Sequence, residues 1–269
     1  MTLLPKRSGI HGRAGGDGAP LRGLLPLALG LILWQIFGAA NSPYFPPPSE
    51  WVRSLAALAK AGRLWPAVGT TLMHFALALL ISVIVGSALG IVFGRSRTID
   101  RLFGPSLEFA RTMPAGALVP VAVLIMGYTA SMTVVVVVVT SFWPILLNTR
   151  ASARSISPDR LDTARALRLS WWATQYKILL PSVVPGIRLG TQIAAPITLI
   201  IVLLVEIMTQ VSGVGRQIAL AQSVFRSSTV FGLVALTGCF GLAVNWFIGG
   251  IGRLTRKYDP AFTSGAVSS

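Results

Sequence analysis

The stretch LMHFALALLISVIVGSALGIVF, residues 72–93, contains no Asp, Glu, Lys or Arg. A helix crossing the roughly 30 Å hydrocarbon core of a bilayer needs about 20 mostly apolar residues, and this run is long enough. Five further runs qualify by the same reading: residues 24–40, 108–128, 131–147, 186–208 and 230–251. The run at 108–128 is the most interrupted, by Arg111, Pro114 and Pro120. Val134 to Val139 alone would read as a buried strand, but the length of the surrounding apolar segment favours helix. The predicted fold is all-α, a polytopic membrane protein with about six transmembrane helices.

Composition points the same way. Of the 269 residues 53% are hydrophobic and 12% charged, with a mean hydropathy of +0.71. A soluble domain carries about 25% charged residues, so an ordinary soluble enzyme and a disordered chain are both excluded. The single cysteine, Cys239, permits no intrachain disulfide and no multi-cysteine zinc site. His11 and His74 lie too far apart for a metal-ligand spacing. No clustered His, Cys or acids suggest a catalytic or metal site, and no Gly-x-x-x-x-Gly-Lys-Ser/Thr phosphate loop is present.

Twenty-three Lys and Arg face eight Asp and Glu, a net charge of +15. The basic residues sit in blocks between the apolar runs. With the N-terminus cytoplasmic, 18 of them fall on the inside and 5 on the outside. That bias orients both termini inward and accounts for the charge without a nucleic-acid partner. Residues 1–22, rich in Gly and charge, read as a cytoplasmic tail. The segment 23–70 holds the first span and an external amphipathic piece. The core spans 71–252, and 253–269 form a cytoplasmic C-terminal tail.

Between the spans several features stand out. Pro46, Pro47 and Pro48 make a stiff extended piece, followed by Ser49 as a helix N-cap and Glu50 in the first turn. Trp51, Leu55 and Leu58 share a face of that helix. Gly86, Gly90 and Gly94, each four apart, line one side of the second span and allow close helix approach. His74 reads as a hydrogen-bonded interface histidine. Glu206 is an acid inside an apolar run and needs a partner or a wet cavity. It suits a pathway residue or an acceptor for the turn Gly213-Val214-Gly215 equally well. Glu108 and Arg111 read as a local ion pair.

The segment between spans four and five is far longer than a turn requires. Ser157-Pro158-Asp159 is a helix start: hydroxyl N-cap, Pro at the first position, an acid in the first turn. Ser170 caps a second helix, on which Trp172, Tyr176 and Leu179 share a face and which Pro181 ends. Asp162 and Arg165 are outward neighbours at i,i+3. The expectation is a basic cytoplasmic hairpin of helices suited to protein docking.

Within it, Asp162-Thr163-Ala164, three residues, Arg168, nine residues, then Ile178-Leu179-Leu180-Pro181 resembles the EAA loop of bacterial ABC importer permeases. That pattern is Glu-Ala-Ala, three residues, Gly, nine residues, Ile-x-Leu-Pro. Arg168 replaces the Gly at the interhelical turn, so the chain is expected to turn with other geometry or at Leu169-Ser170. Thr70-Thr71-Leu72, Gly94-Arg95, Pro105, Glu108, Pro114, Pro120, Gly127, Phe142-Trp143-Pro144, Asn148, Pro185-Gly186, Glu206 and Gly213-Val214-Gly215 are similar to the aliphatic sulfonate, nitrate and taurine permease subgroup.

The resemblance implies a permease subunit, not an enzyme, in the bacterial inner membrane. It implies a homodimer carrying a small organic anion or similar solute, embedded in membrane lipid. Two ABC ATPase subunits would bind ATP and Mg and dock on the loop at 157–181, through Asp162, Thr163, Ala164, Arg165, Arg168, Ile178, Leu180 and Pro181. An extracytoplasmic solute-binding protein would deliver the solute. An ion-gradient-driven secondary transporter or channel is the alternative; it would call for internal repeats and several intramembrane ionisable residues.

Overall fold

The computed structural model describes residues 21–39, 42 and 44–255. Most of the 1–22 tail with His11, and residues 256–269 of the C-terminal tail, lie outside the described residues. Among those described, every regular element is a helix: α1 (Leu21–Phe37), α2 (Pro48–Lys60), α3 (Leu64–Arg95), α4 (Arg97–Arg111), α5 (Ala115–Met126), α6 (Ala130–Arg154), α7 (Pro158–Ala166), α8 (Trp171–Thr174), α9 (Leu180–Thr209), α10 (Val214–Ser223) and α11 (Ser227–Thr255). A π-helical turn, Gln175–Leu179, joins α8 to α9.

Four helical stretches are long and apolar enough to cross a membrane: α3, α6, Trp171–Thr209 and α11 over Ser227–Gly250. They contain the runs at 72–93, 131–147 and 186–208 and most of that at 230–251. The valine run sits in the middle of α6 as helix. The count of six is not reached by this measure. The run at 108–128 is two helices, α4 and α5, bent by 95° where the chain passes Thr112 to Pro114. Pro114 takes an extended ψ of 133° and disfavours helix at Met113, so one helix cannot run through. Counting that pair as one broken span gives five. α1 is apolar but short: its 17 residues rise about 25 Å.

The centre of the fold is α6, held between α3 and α9. In lipid, apolar helices gain little from leaving the solvent, so packing depends on how closely backbones approach. A Cβ on Gly90 of α3 would lie 2.6 Å from Thr149 Cβ, and one on Gly190 of α9 would lie 2.5 Å from Ile145 Cα. Gly86 and Gly94 press on α6 in the same way, so the predicted glycine stripe has α6 as its partner. These contacts make α3 and α6 parallel and α9 antiparallel to both. The broken pair α4–α5 therefore carries the chain back from the Arg95 end of α3 to the opposite end, where α6 starts. Val119 of α5, Met132, Val136 and Val137 of α6, and Ala195, Val202 and Val205 of α9 fill the core around Phe75 and Ala78.

At the end of the bundle where α3 begins, α2 lies across α11. Trp51 and Leu58 are buried there and Leu55 is half-buried, as the shared face predicts. Trp34 of α1 stacks on Phe45 at 4.6 Å and meets Trp51 edge-on at 5.0 Å, and Trp51 stacks on Phe231 of α11 at 5.5 Å. Ser49 is not the N-cap. Pro47 holds that position, and Pro48 opens the helix with φ already set. The Ser49 N–H is instead satisfied by Gln35 Oε1 at 3.0 Å, while Gln35 Nε2 donates to Ser49 Oγ at 3.1 Å. This clamp ties α1 to α2.

Placing a leucine at Gly90 should force α3 off α6 and destabilise the detergent-solubilised protein by about 1–3 kcal/mol or more, the usual cost of overpacking. Gly69→Leu, where an added side chain meets open space, should leave the thermal midpoint nearly unchanged. Equal midpoints for the two variants would contradict the packing described.

Candidate functional site: exposed hairpin and buried carboxyl cluster

The hairpin starts where the sequence places it. Ser157 is extended at the N-cap position, Pro158 is at N1, and Asp159 lies in the first turn. The Ser157 hydroxyl makes no capping bond. Thr163 Oγ1 donates back to the Asp159 carbonyl at 2.7 Å. Asp162 and Arg165 are exposed and paired at 2.9 Å, as the i,i+3 spacing predicts. Ala164 turns inward and is buried.

The turn after α7 differs from the expectation. Arg168 adopts φ +46°, the left-handed conformation that glycine favours. Its N–H donates to the Arg165 carbonyl at 3.0 Å, and the Leu169 N–H reaches the Ala164 carbonyl at 3.0 Å. These two bonds form a Schellman closure. The chain keeps the glycine-type turn at residue 168 with an arginine in it. The two bonds satisfy carbonyls that would otherwise end the helix unpaired, which offsets a strain of about 1 kcal/mol.

Ser170 caps the second helix as predicted: its Oγ accepts the Ala173 N–H at 3.2 Å. Pro181, however, does not end that helix. The wider π turn at Gln175–Leu179 makes room for the pyrrolidine ring, and Pro181 sits in the first turn of α9. Ser182 Oγ donates to the Ile178 carbonyl at 2.7 Å beside the proline. Helix therefore continues unbroken from Trp171 to Thr209. The π turn also rotates the face: Trp172 and Tyr176 are exposed, while Leu179 turns inward to pack with Ala153 and Val183. Ile178 is half-buried, and Leu180 and Pro181 are exposed.

The hairpin thus presents Leu167, Trp171, Trp172 and Tyr176, each about two-thirds exposed, beside the Asp162–Arg165 pair and Arg168. Trp171 packs edge-on against Trp172 at 4.6 Å. Sequence reasoning missed Leu167 and Trp171 as surface groups. The adjacent tryptophans were a signal, since only one of two neighbours on a helix can face inward.

At the far end of α9, Glu206 is fully buried. Its carboxylate accepts hydrogen bonds from Thr71 Oγ1 at 2.8 Å and from the Gly215 N–H at 3.0 Å, and faces His74 Nδ1 at 2.9 Å. Thr71 Oγ1 in turn accepts the Val214 N–H at 2.8 Å. The carboxylate lies at the N-terminus of α10, where free N–H groups and the helix dipole favour negative charge. Gly213 (φ +150°) and Gly215 are the two positions that make this possible. A Cβ on Gly213 would collide with the carboxylate, and one on Gly215 would lie 2.5 Å from Glu206 Cβ. Glu206, Gly213 and Gly215 therefore form one unit, joined by His74 and Thr71. Glu108 and Arg111 are paired at 2.9 Å and half-exposed on α4. Among the described residues no group of three or more His, Cys, Asp or Glu could hold a metal ion.

Comparison with known proteins identifies the family. Residues 78–257 match the family model of the binding-protein-dependent transport system inner membrane component. SsuC of Bacillus subtilis, described as an aliphatic sulfonates transport permease, is 26% identical over 245 residues, 90% of this chain and 89% of its own length. The bicarbonate transport system permease CmpB of Synechococcus elongatus is 31% identical, covering 86% and 88%. The nitrate import permease NrtB of Leptolyngbya laminosa is 30% identical, covering 70% and 67%.

The chain belongs to the family of binding-protein-dependent transport system inner membrane components. It is a multi-pass inner-membrane permease subunit of an ABC importer, a transport subunit and not an enzyme, and it works with ATPase and substrate-binding partners. Family membership supports the ATP-driven importer over the gradient-driven alternative.

Glu206→Ala should cost about 3–5 kcal/mol, because it strands the Thr71, His74 and Gly215 donors in a dry interior. Glu206→Gln should cost less and still lower the thermal midpoint; a midpoint unchanged in both would show that the cluster holds nothing together. Arg168→Gly should raise stability by roughly 1 kcal/mol through relief of the left-handed strain, read as slower hydrogen exchange at the Leu169 amide. A faster exchange would mean that the arginine side chain itself holds the turn.

Proposed function

We propose that two copies of this chain line one pathway for a small anion, with an ABC ATPase docked on the hairpin of each and a solute-binding protein at the Glu206 end. In this reading both chain termini and the hairpin face the cytoplasm, which the clustering of basic residues supports. ATP and magnesium are bound by the ATPase and not by this chain. Sulfonate, bicarbonate and nitrate, the solutes named for the relatives, are all small oxyanions, and the solute proposed here is of that class.

The observation that carries the proposal is the exposed hairpin, rigidly continuous with α9. Its uncovered surface combines aromatic side chains with an ion pair, the composition of an interface anchor. Asp162, Thr163, Arg165 and Arg168 supply the polar rim, and Ala164, Ile178, Leu180 and Pro181 set the angle at which it leaves the membrane. Leu124 and Ile125 of α5 are uncovered apolar groups that a second copy or lipid would cover. Glu206 serves as a strut at the opposite end, fixing α3, α9 and α10 to one another.

Trp172→Ala should weaken association with the ATPase by about 2 kcal/mol, roughly 30-fold, while membrane insertion is retained. The decisive assay is uptake of labelled sulfonate, bicarbonate and nitrate into proteoliposomes holding this chain, its ATPase and its binding protein. ATP-dependent accumulation of one of them, reduced in the Trp172→Ala variant, is expected. Uptake that continues without ATP and collapses with the proton gradient would overturn the proposal, and so would full association of the variant.

A further inference from the structure

At the hairpin end of the bundle, a cavity of about 570 Å³ opens between the end of α3, the first turns of α4 and the end of α6. Arg95, Arg97, Arg101 and Arg154 line it together with a single acid, Asp100. That acid is already engaged. Arg150 reaches Asp100 at 2.5 Å, and Arg154 binds its other oxygen. Arg95, Arg97 and Arg101 form no ion pair among the described residues. Three arginines thus line the cavity without an ion pair of their own, beside an acid that two other arginines already hold.

The surroundings say which anion fits. Gly94 of α3 meets Ala153 of α6 in the cavity wall, so the cavity lies where the packed spans end. α4 buries none of its residues. Its polar side carries the arginines, and its apolar side exposes Leu102, Phe103 and Phe109, each more than half uncovered. Phe103 rests edge-on against Phe93 of α3 at 6.4 Å. A helix with one basic and one apolar side suits the membrane interface, where the apolar side meets acyl chains and the basic side meets headgroups.

We propose that this cavity binds the phosphodiester headgroup of an anionic phospholipid, held by Arg95, Arg97 and Arg101 with the acyl chains along the apolar side of α4. Asp100 is the spacer that fixes Arg150 and Arg154 while leaving the other three guanidiniums free. Arginine suits the role because its planar fork takes two oxygens of one phosphate. Basic pockets between membrane helices are general sites for such headgroups. Ile156 lines the cavity and also packs on the cluster of Ala153, Leu179 and Val183 that seats the hairpin. The bound headgroup therefore abuts the base of the hairpin. The site requires only that the chain be embedded in lipid and is independent of the transported solute.

The test uses the full chain reconstituted in nanodiscs of mixed phosphatidylcholine and phosphatidylglycerol, then re-extracted, with retained lipid measured by mass spectrometry. The parent should retain phosphatidylglycerol above its share of the bilayer. Arg97→Gln/Arg101→Gln should lower that enrichment about tenfold or more, and Arg97→Lys/Arg101→Lys should restore it only in part, because lysine keeps the charge and loses the two-oxygen fork. Arg63→Gln/Arg226→Gln, at the other end of the bundle, should leave it unchanged. Unchanged enrichment in the Arg97/Arg101 glutamine variant would overturn the proposal. Equal loss in the Arg63/Arg226 variant would do so too, by showing only a general charge effect. Displacement of the retained lipid by excess inorganic phosphate would assign the site to free phosphate and overturn the lipid assignment.

Discussion

The close approach of α6 to two neighbours is the constraint on which the rest depends. In water a helix bundle is driven together by the removal of apolar surface from solvent. In a bilayer that drive is absent, since lipid tails are as apolar as leucine. Contact must come from dispersion between surfaces that fit, and that term falls steeply with a gap of even half an ångström. Gly90 on one side and Gly190 on the other remove the side chains that would hold the backbones apart. Because α6 is gripped on both faces, α3 and α9 are fixed relative to each other and meet directly around Phe75 and Glu206.

That geometry places the two polar assemblies at opposite ends of one rigid object. The helix from Trp171 to Thr209 has 39 residues and extends about 58 Å. The hairpin occupies one end and Glu206 the other. No non-helical residue intervenes between Trp172 and Glu206, so a displacement of the hairpin has no loop in which to dissipate. At the Glu206 end the carboxylate binds α3 through Thr71 and His74 and α10 through Gly215. The same three contacts satisfy a buried acidic group that would be costly to leave unpaired among apolar helices. Buried polarity here joins elements that are distant in sequence, a task apolar packing in lipid performs weakly.

Much of this was legible from the chain alone. Apolar run length gave α3, α6, α9 and α11, the glycine spacing marked the packing side of α3, and the hairpin was read from Ser157-Pro158-Asp159 and the spacing to Ile178. The Asp162–Arg165 pair followed from helical geometry. What escaped depends on partners far away or on alternative backbone solutions of nearly equal energy. Ser49 looked like a cap because its own segment offers the N–H groups, but Gln35, fourteen residues upstream, supplies the bond. Glu206 visibly needed a partner, yet nothing local could name Thr71 and His74, more than 130 residues earlier. The apolar length of 108–128 suggested one straight span, whereas Pro114 breaks it into two helices bent by 95°.

The two errors in the hairpin have a common origin. Arg168 was expected to avoid the left-handed region, and Pro181 was expected to stop the helix, because each residue type carries an intrinsic penalty there. Both penalties are about 1 to 3 kcal/mol. At Arg168 two backbone hydrogen bonds close the end of α7, and losing them would expose as many unpaired carbonyls. At Pro181 a single π turn removes the clash while leaving Leu179 seated against Ala153 and Val183. In each case the local rule is outweighed by groups whose alternative is to lose both packing and hydrogen bonds. The result is a hairpin with a left-handed turn at its tip and, on its second arm, a helix that runs without a break from Trp171 into the membrane-spanning part of α9.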